Sequence, residues 1–276
     1  MNNKLVICGY GWLGGYLGEA MSATHAIIAT TRSKEKALKI SDKHIKGLVF
    51  SLGDDTTALC KELNDATLVL NIPPGRRNTQ LDDFTNNMLA LIDNAMAARV
   101  ARIIFMSTTS VYGDNRSDVL NEHASTQPET ASAKAHVAIE QHVLKLKTNA
   151  KVDAKIVRLA GLTGPDRHPV NSLSGRSLNA GNKRINLVHV HDVIAALKAL
   201  ILAETSKGDS TDLYHLCSLQ HPKRGDYYTQ AALKKGIPAP TFSESELAPT
   251  GKAIDAKASW NLLGILPDYA NPDDMI

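Results

Sequence analysis

The chain has 276 residues, 43% of them hydrophobic and 21% charged, and its 31 basic and 28 acidic side chains leave a net charge of +3. That composition excludes collagen-like and wholly disordered chains, and the length suits one large domain or a domain with a smaller lobe. So small a net charge, with aromatics at only 5%, argues against a nucleic-acid partner.

Residues 4–8 (KLVIC) read as a buried strand, followed by a glycine-rich turn and a helix over 12–22. A second strand (26–31) leads to a helix over 34–39 that Ser33 can cap. A third strand over 45–50, a helix over 54–63 and a fourth strand over 66–71 follow, the last stopped at Pro73-Pro74-Gly75. A long amphipathic helix (81–99), a fifth strand (102–107), a helix (132–147) and a sixth strand (151–159) complete the regular part.

Strands alternating with helices predict βαβ units and a Rossmann-type, doubly wound parallel sheet of the α/β class, with a smaller C-terminal substrate lobe. The expected division is a dinucleotide-binding domain over 1–160, to which 185–203 return, and a lobe from 161–184 and 204–276.

Gly9-Tyr10-Gly11-Trp12-Leu13-Gly14 is G-x-G-x-x-G between a strand and a helix, the context a dinucleotide site requires. Gly9 permits the tight turn, Gly11 lets the backbone approach a pyrophosphate, and Gly14 allows close helix–strand packing. Trp12 and Leu13 fall inside the loop. A turn that binds nothing would show the same spacing.

An NAD site wants an acid at the end of the second strand. This chain has Thr31-Arg32-Ser33 there, and its nearest acid, Glu35, falls in the next helix. Arg32 can fork onto a 2′-phosphate with help from Ser33, which favours NADP, with NAD the alternative.

The three cysteines, Cys8, Cys60 and Cys217, are far apart and read as free thiols of a reducing compartment. The first residues read as a strand rather than a signal peptide, and the apolar run 193–203 contains Lys198 and is too short for a bilayer. The expectation is a cytoplasmic protein without a membrane partner, a monomer or homodimer acting on a small molecule. The ten histidines show no H-E-x-x-H spacing, and no metal site is expected.

Five segments together resemble the extended short-chain dehydrogenase/reductase superfamily, in particular its NAD-dependent epimerase/dehydratase branch. They are Gly9 to Gly14; residues 105–113 (FMSTTSVYG); Glu122 with Pro128 ahead of Glu140-Gln141; residues 158–165 (RLAGLTGP); and residues 187–193 (LVHVHDV). The resemblance implies that Thr108 holds the substrate's reacting oxygen. It puts Asn71, Ile72 and Pro73 beside the cofactor's ribose and nicotinamide, and Ser51 and Leu52 near the adenine.

One departure stands out. The family's Tyr-x-x-x-Lys pair is missing, because no tyrosine lies between Tyr112 and Tyr214. Counting from Pro128 and Glu140 puts Ser132 at the Tyr position and His136 at the Lys position, one helical turn apart. A second register, fixed by Lys134, puts Thr130 in the Tyr place. A Ser–His pair can move a proton; a solvated polar helix face is the plainer reading.

Tyr112, Arg158, Arg167, His168, Arg176, His189 and His191 are candidates for an anionic substrate. His189 and His191 are expected on opposite faces of a strand. Asp192 is expected to cap the following helix, and Trp260, Leu262 and Leu263 to pack the lobe down. The implied activity is that of an oxidoreductase, epimerase or dehydratase on a small hydroxylated substrate. The alternative is a non-catalytic NADP(H) sensor.

Overall fold

A computed structural model of the chain describes residues 3–41, 45–75, 80–150, 152–204 and 212–276, without the side chains of 147–150. Strands β1 (Lys4–Cys8), β2 (Ala26–Thr31), β3 (Lys46–Val49), β4 (Thr67–Leu70) and β5 (Arg102–Thr108) alternate with α1 (Trp12–Met21), α2 (Lys34–Ser41), the single turn α3 (Thr57–Cys60) and α4 (Leu81–Ala97). After a 3-10 turn (Thr109–Tyr112) come β6 (Val119–Leu120), α5 (Ala131–Ala150), β7 (Asp153–Leu159), β8 (Gly161–Thr163), β9 (Ser177–Leu178), β10 (Leu187–His189) and α6 (Val190–Leu202). The chain ends with β11 (Leu213–Leu216), α7 (Arg224–Lys234), β12 (Thr241–Phe242), β13 (Ala253–Ile254) and α8 (Lys257–Leu263).

Two compact units result. The first comprises Met1–Val111, Pro128–Arg158 and Leu197–Tyr214; the second comprises Tyr112–Gln127, Leu159–Ala196 and His215–Ile276.

The first unit carries a seven-stranded sheet in the order β11-β7-β5-β4-β1-β2-β3. The β3/β2, β2/β1, β1/β4 and β4/β5 ladders are all parallel. This is the Rossmann-type doubly wound α/β fold, with β2 and β3 added on one side of β1 and β4 and β5 on the other. Val6, Cys8, Leu68, Leu70, Ile103 and Phe105 face a core shared with Phe84, Met88, Leu91 and Ile92 of α4 and Ala135, Ile139 and Val143 of α5. The alternate positions Leu5, Ile7, Ala29, Val69 and Ile104 are equally buried, as in a sheet covered on both sides.

Local chemistry sets the element ends. Ser33 Oγ accepts the Lys36 N–H (3.3 Å) and caps α2 as expected. Thr130 Oγ1 accepts the Ala133 N–H (3.1 Å) at the start of α5. The helix expected over 54–63 shrinks to one turn: past Cys60 the N–H groups of Glu62 and Leu63 reach back only three residues, to Leu59 (2.9 Å) and Cys60 (3.1 Å). The sixth strand starts at Asp153, and its expected start at Lys151 lies outside the described residues. The seventh strand, Leu213–Leu216, comes from a stretch whose composition promised none.

Two buried ion pairs tie the sheet to its helices. Arg158 of β7 makes a fork onto Glu140 of α5 (Nε–Oε1 2.9 Å, Nη2–Oε2 2.6 Å), and Glu140 Oε1 also accepts Ser107 Oγ of β5 (2.5 Å). Arg102 Nε meets Asp153 (2.6 Å), while its Nη atoms donate to the carbonyls of Leu200, Ile201 and Ala203 at the end of α6. The expectation that Arg158 serves an anionic substrate is corrected, because the side chain is buried and Glu140 already takes the Nε–Nη2 edge of its guanidinium.

The second unit is built on short parallel pairs, β8/β10, β9/β12 and β6/β13. Its core gathers Val170, Ile185, Leu187, Tyr227, Tyr228 and Met275. Trp260 is buried and donates to the Cys217 carbonyl (2.9 Å), but Leu262 is 60% exposed and does not share the packing role expected of it. No described helix is long and apolar enough to cross a membrane.

Removing one partner of a buried pair strands the other charge. Glu140→Ala is therefore expected to cost about 3–5 kcal/mol in urea unfolding, with much of it regained in the apolar pair Glu140→Leu/Arg158→Met. A loss below about 1 kcal/mol would show the fork to be dispensable.

Candidate functional site

The carboxyl ends of β1 to β4 open into one cavity of about 1020 Å³. Gly9 and Gly11 from the first turn, Thr31, Arg32 and Ser33 after β2, Ser51 and Leu52 after β3, and Asn71, Ile72 and Pro73 after β4 all line it. Trp12, Leu13 and Gly14 do not: Leu13 and Gly14 are buried in α1, and Trp12 packs edge-on against Tyr16 (ring centres 5.2 Å apart).

The turn is held tightly. Gly9 has φ +97°, and a Cβ there would lie 2.5 Å from the Asn71 carbonyl oxygen. Its N–H donates to Thr30 Oγ1 (2.9 Å) and its carbonyl accepts Asn71 Nδ2 (3.1 Å), so the ends of β2 and β4 both grip it. A Cβ on Gly14 would come within 2.9 Å of the Gly9 oxygen, which explains the third glycine by packing. Gly11 differs, because a Cβ there meets nothing within 4 Å. Gly11 is exposed and lines the cavity. Neither a capping side chain nor a first-turn acid offsets the positive end of α1.

Several lining residues escaped the sequence reading. Lys36 Nζ donates to the Tyr10 carbonyl (2.8 Å), placing an ammonium beside the glycine turn. Its position, two residues inside a helix start, gave no motif signal. Gln80, Asp83, Phe84 and Asn87 line the cavity from α4. Their i, i+3, i+4, i+7 spacing was legible only as an amphipathic stripe. Glu35, the nearest acid after β2, pairs with Lys39 (2.7 Å). The uncapped helix, the open Gly11 and the basic Arg32 and Lys36 fit a phosphate-bearing dinucleotide.

The sequence model of the NAD dependent epimerase/dehydratase family matches residues 5–217. The chain belongs to this family. It is 34% identical over 278 residues to Protein YeeZ of Escherichia coli K12, covering 99% of this chain and 98% of that protein. Its fold is similar to UDP-glucuronic acid 4-epimerase from Bacillus cereus in complex with NAD (TM-score 0.81, 14% identity, covering 99% and 94% of the two chains). It is also similar to UDP-glucose 4-epimerase from Thermotoga maritima with UDP-glucose (TM-score 0.80, 13% identity, 99% and 97%). At these identities the likeness to both structures is one of fold.

Ser132 and His136, expected from the sequence at the family's Tyr and Lys places, both lie on α5. His136 is buried, stacked on Phe105 (ring centres 5.9 Å apart) and tilted against Phe84 (6.4 Å). Its Nδ1 lies 2.7 Å from the backbone carbonyl of Ser132, so Nδ1 carries the proton and Nε2 is the acceptor. Burial pushes the imidazole pKa down, against smaller opposing effects of that carbonyl and of Glu140. Ser132 thus anchors His136 through its main chain. Thr130, the other candidate for the Tyr place, is spent on the α5 cap. Thr108, at the end of β5, accepts the Ser110 N–H (3.2 Å) and meets Ser110 Oγ at the same distance.

Apart from Arg158, the residues nominated for the substrate lie in the second unit. Tyr112 is fully buried. Its hydroxyl donates to His215 Nε2 (2.6 Å), since His215 Nδ1 faces the Asp255 carbonyl (2.9 Å). His168 is likewise enclosed, with Nε2 on the Tyr227 hydroxyl (2.8 Å), and burial pushes its pKa down to about 4. Arg167 and Arg176 are exposed.

His189 is buried, stacks on Tyr269 (3.6 Å) and is pushed down to about 4 by burial and by neighbouring His191. The opposite-face expectation for the two histidines is corrected: β10 ends at His189 and α6 begins at Val190, so the rings meet edge to face with centres 4.7 Å apart. Asp192 lies inside α6 and accepts the N–H groups of Asp268 (2.8 Å) and Tyr269 (3.1 Å), instead of capping the helix. Among the described residues no group of three His, Cys, Asp or Glu side chains could hold a metal.

The contrast between two glycines is testable. Gly9→Ala should lower stability by about 1–3 kcal/mol from backbone conformation alone. Gly11→Ala should melt like the parent while weakening pyridine-dinucleotide binding. Unchanged binding in Gly11→Ala would remove the loop from the site.

Proposed function

We propose that the protein binds a pyridine dinucleotide, NADP in preference to NAD, in the cavity at the carboxyl ends of β1 to β4. In this reading it acts as an oxidoreductase, epimerase or dehydratase on a small hydroxylated, anionic substrate. The observation that carries the reading is the glycine turn: Gly9 locked between Thr30 and Asn71, and Gly11 facing open space at an uncapped helix end. Arg32 and Ser33 stand where an NAD site carries an acid, which supports the 2′-phosphate form. The exposed Arg167 and Arg176 support the anionic substrate.

The dinucleotide, when bound, supplies hydride-transfer chemistry. The chain's part is to orient and to move a proton. Thr108 would hold the reacting oxygen through its hydroxyl. His136, neutral at pH 7 because burial lowers its pKa, would accept a proton at Nε2, with the Ser132 carbonyl fixing its tautomer.

A second reading is favoured by one feature. Ser132 and a buried, uncharged His136 replace the pair that would lower a phenol's pKa, so a dinucleotide-binding sensor without turnover also suits the site.

Arg32→Ala is expected to weaken NADPH binding by about 10- to 100-fold and NADH binding little. Equal effects on both would place the 2′-phosphate elsewhere. Label passing from 4-deuterated NADPH to a metabolite, and lost in His136→Ala, decides for the enzyme; binding without any label transfer decides for the sensor.

A further inference from the structure

Glu140 lies one turn after His136 on α5, so the two side chains share a helix face. Both are buried. A free carboxylate in that place would hold its neighbour as an imidazolium, because an opposite charge in a dry interior favours the protonated ring. A protonated His136 has no lone pair left at Nε2 to accept a proton. Glu140, however, is engaged from two strands. Arg158 of β7 forks onto it, Nε to Oε1 (2.9 Å) and Nη2 to Oε2 (2.6 Å), and Ser107 of β5 donates to Oε1 (2.5 Å).

The other elements packed on the imidazole bring apolar surface. β5 presents the ring of Phe105 and α4 that of Phe84. Asp83, the acid next to Phe84, is exposed and lines the cavity. Burial acts most strongly on the His136 pKa and lowers it; the Ser132 carbonyl raises it, and Glu140 raises it least. A carboxylate whose charge is already matched by a guanidinium fits so small a pull.

We infer that Arg158 is a positioning residue for proton transfer: by occupying the Glu140 carboxylate, with help from Ser107, it keeps His136 a neutral acceptor. The inference rests on the proton-acceptor reading of His136 above and deepens it. The fork then has a second use beside tying β7 to α5. What the role requires of residue 158 is its positive charge, so a lysine there serves as well.

The test is a histidine titration followed by NMR on the full-length protein, isotope-labelled in histidine and free of nucleotide. The His136 signal is assigned by its loss in His136→Gln. Arg158→Met should move the His136 midpoint up by about 1 pH unit or more, because the carboxylate is left to pair with the imidazolium. Arg158→Lys, which keeps the charge, should restore the parent midpoint. Ser107→Ala, which leaves the ion pair in place, should move it up by less. The apolar pair Glu140→Leu/Arg158→Met, with the carboxylate gone, should titrate at or below the parent. A fork that serves stability alone would loosen the fold without moving the midpoint in this order. An unmoved midpoint in Arg158→Met, or in Ser107→Ala should Arg158→Met fail to fold, overturns the inference, as does an upward shift in the apolar pair. Label transfer from 4-deuterated NADPH that persists in His136→Ala instead overturns the proton-acceptor reading, and this inference with it.

Discussion

The close approach of Gly9 to the end of β4 is the constraint on which the site depends. With a Cβ position only 2.5 Å from the Asn71 oxygen, no other residue fits without moving β1 or β4. The contact fixes where α1 begins, and so where its positive end points. It also explains why Thr30 and Asn71, neither part of a glycine motif, belong to the turn: each satisfies a polar group of Gly9 that would otherwise go unpaired.

A second constraint is how the cations are divided. Arg102 and Arg158 are locked inside by carboxylates and carbonyls, so their charge holds helices to the sheet. Arg32 and Lys36 remain at the cavity, one exposed and one resting on the Tyr10 carbonyl. Net charge says nothing of this division. It follows from which arginine faces an acid across the core.

The fold was largely legible because its signals are local. Continuous apolar runs such as Leu5–Cys8 mark strands buried on both faces, and Ser33 marks the start of α2. The glycine turn was legible because its chemistry lies within six residues. What escaped depends on distant partners. The short strand Leu213–Leu216 gains its identity from the sheet edge, through bonds such as Ile156 N–H to the Asp212 carbonyl (2.6 Å). Arg158 looked like an anion binder because Glu140 is 18 positions away. His189 and His191 were misplaced because a strand-to-helix switch falls between them. The α4 wall was invisible because an amphipathic helix does not announce which of its half-buried polar residues meets a cavity.

His136, expected at the place of the missing pair, is buried, stacked on an aromatic ring, and held as one tautomer by a carbonyl. Whether that imidazole serves a reaction matters only if a dinucleotide sits in the cavity. Calorimetry on protein stripped of bound nucleotide, titrated in turn with NADP, NADPH, NAD and NADH, tests that point most directly. The account predicts saturable binding at a single site, tightest for the phosphorylated pair. An absence of heat with all four would contradict it.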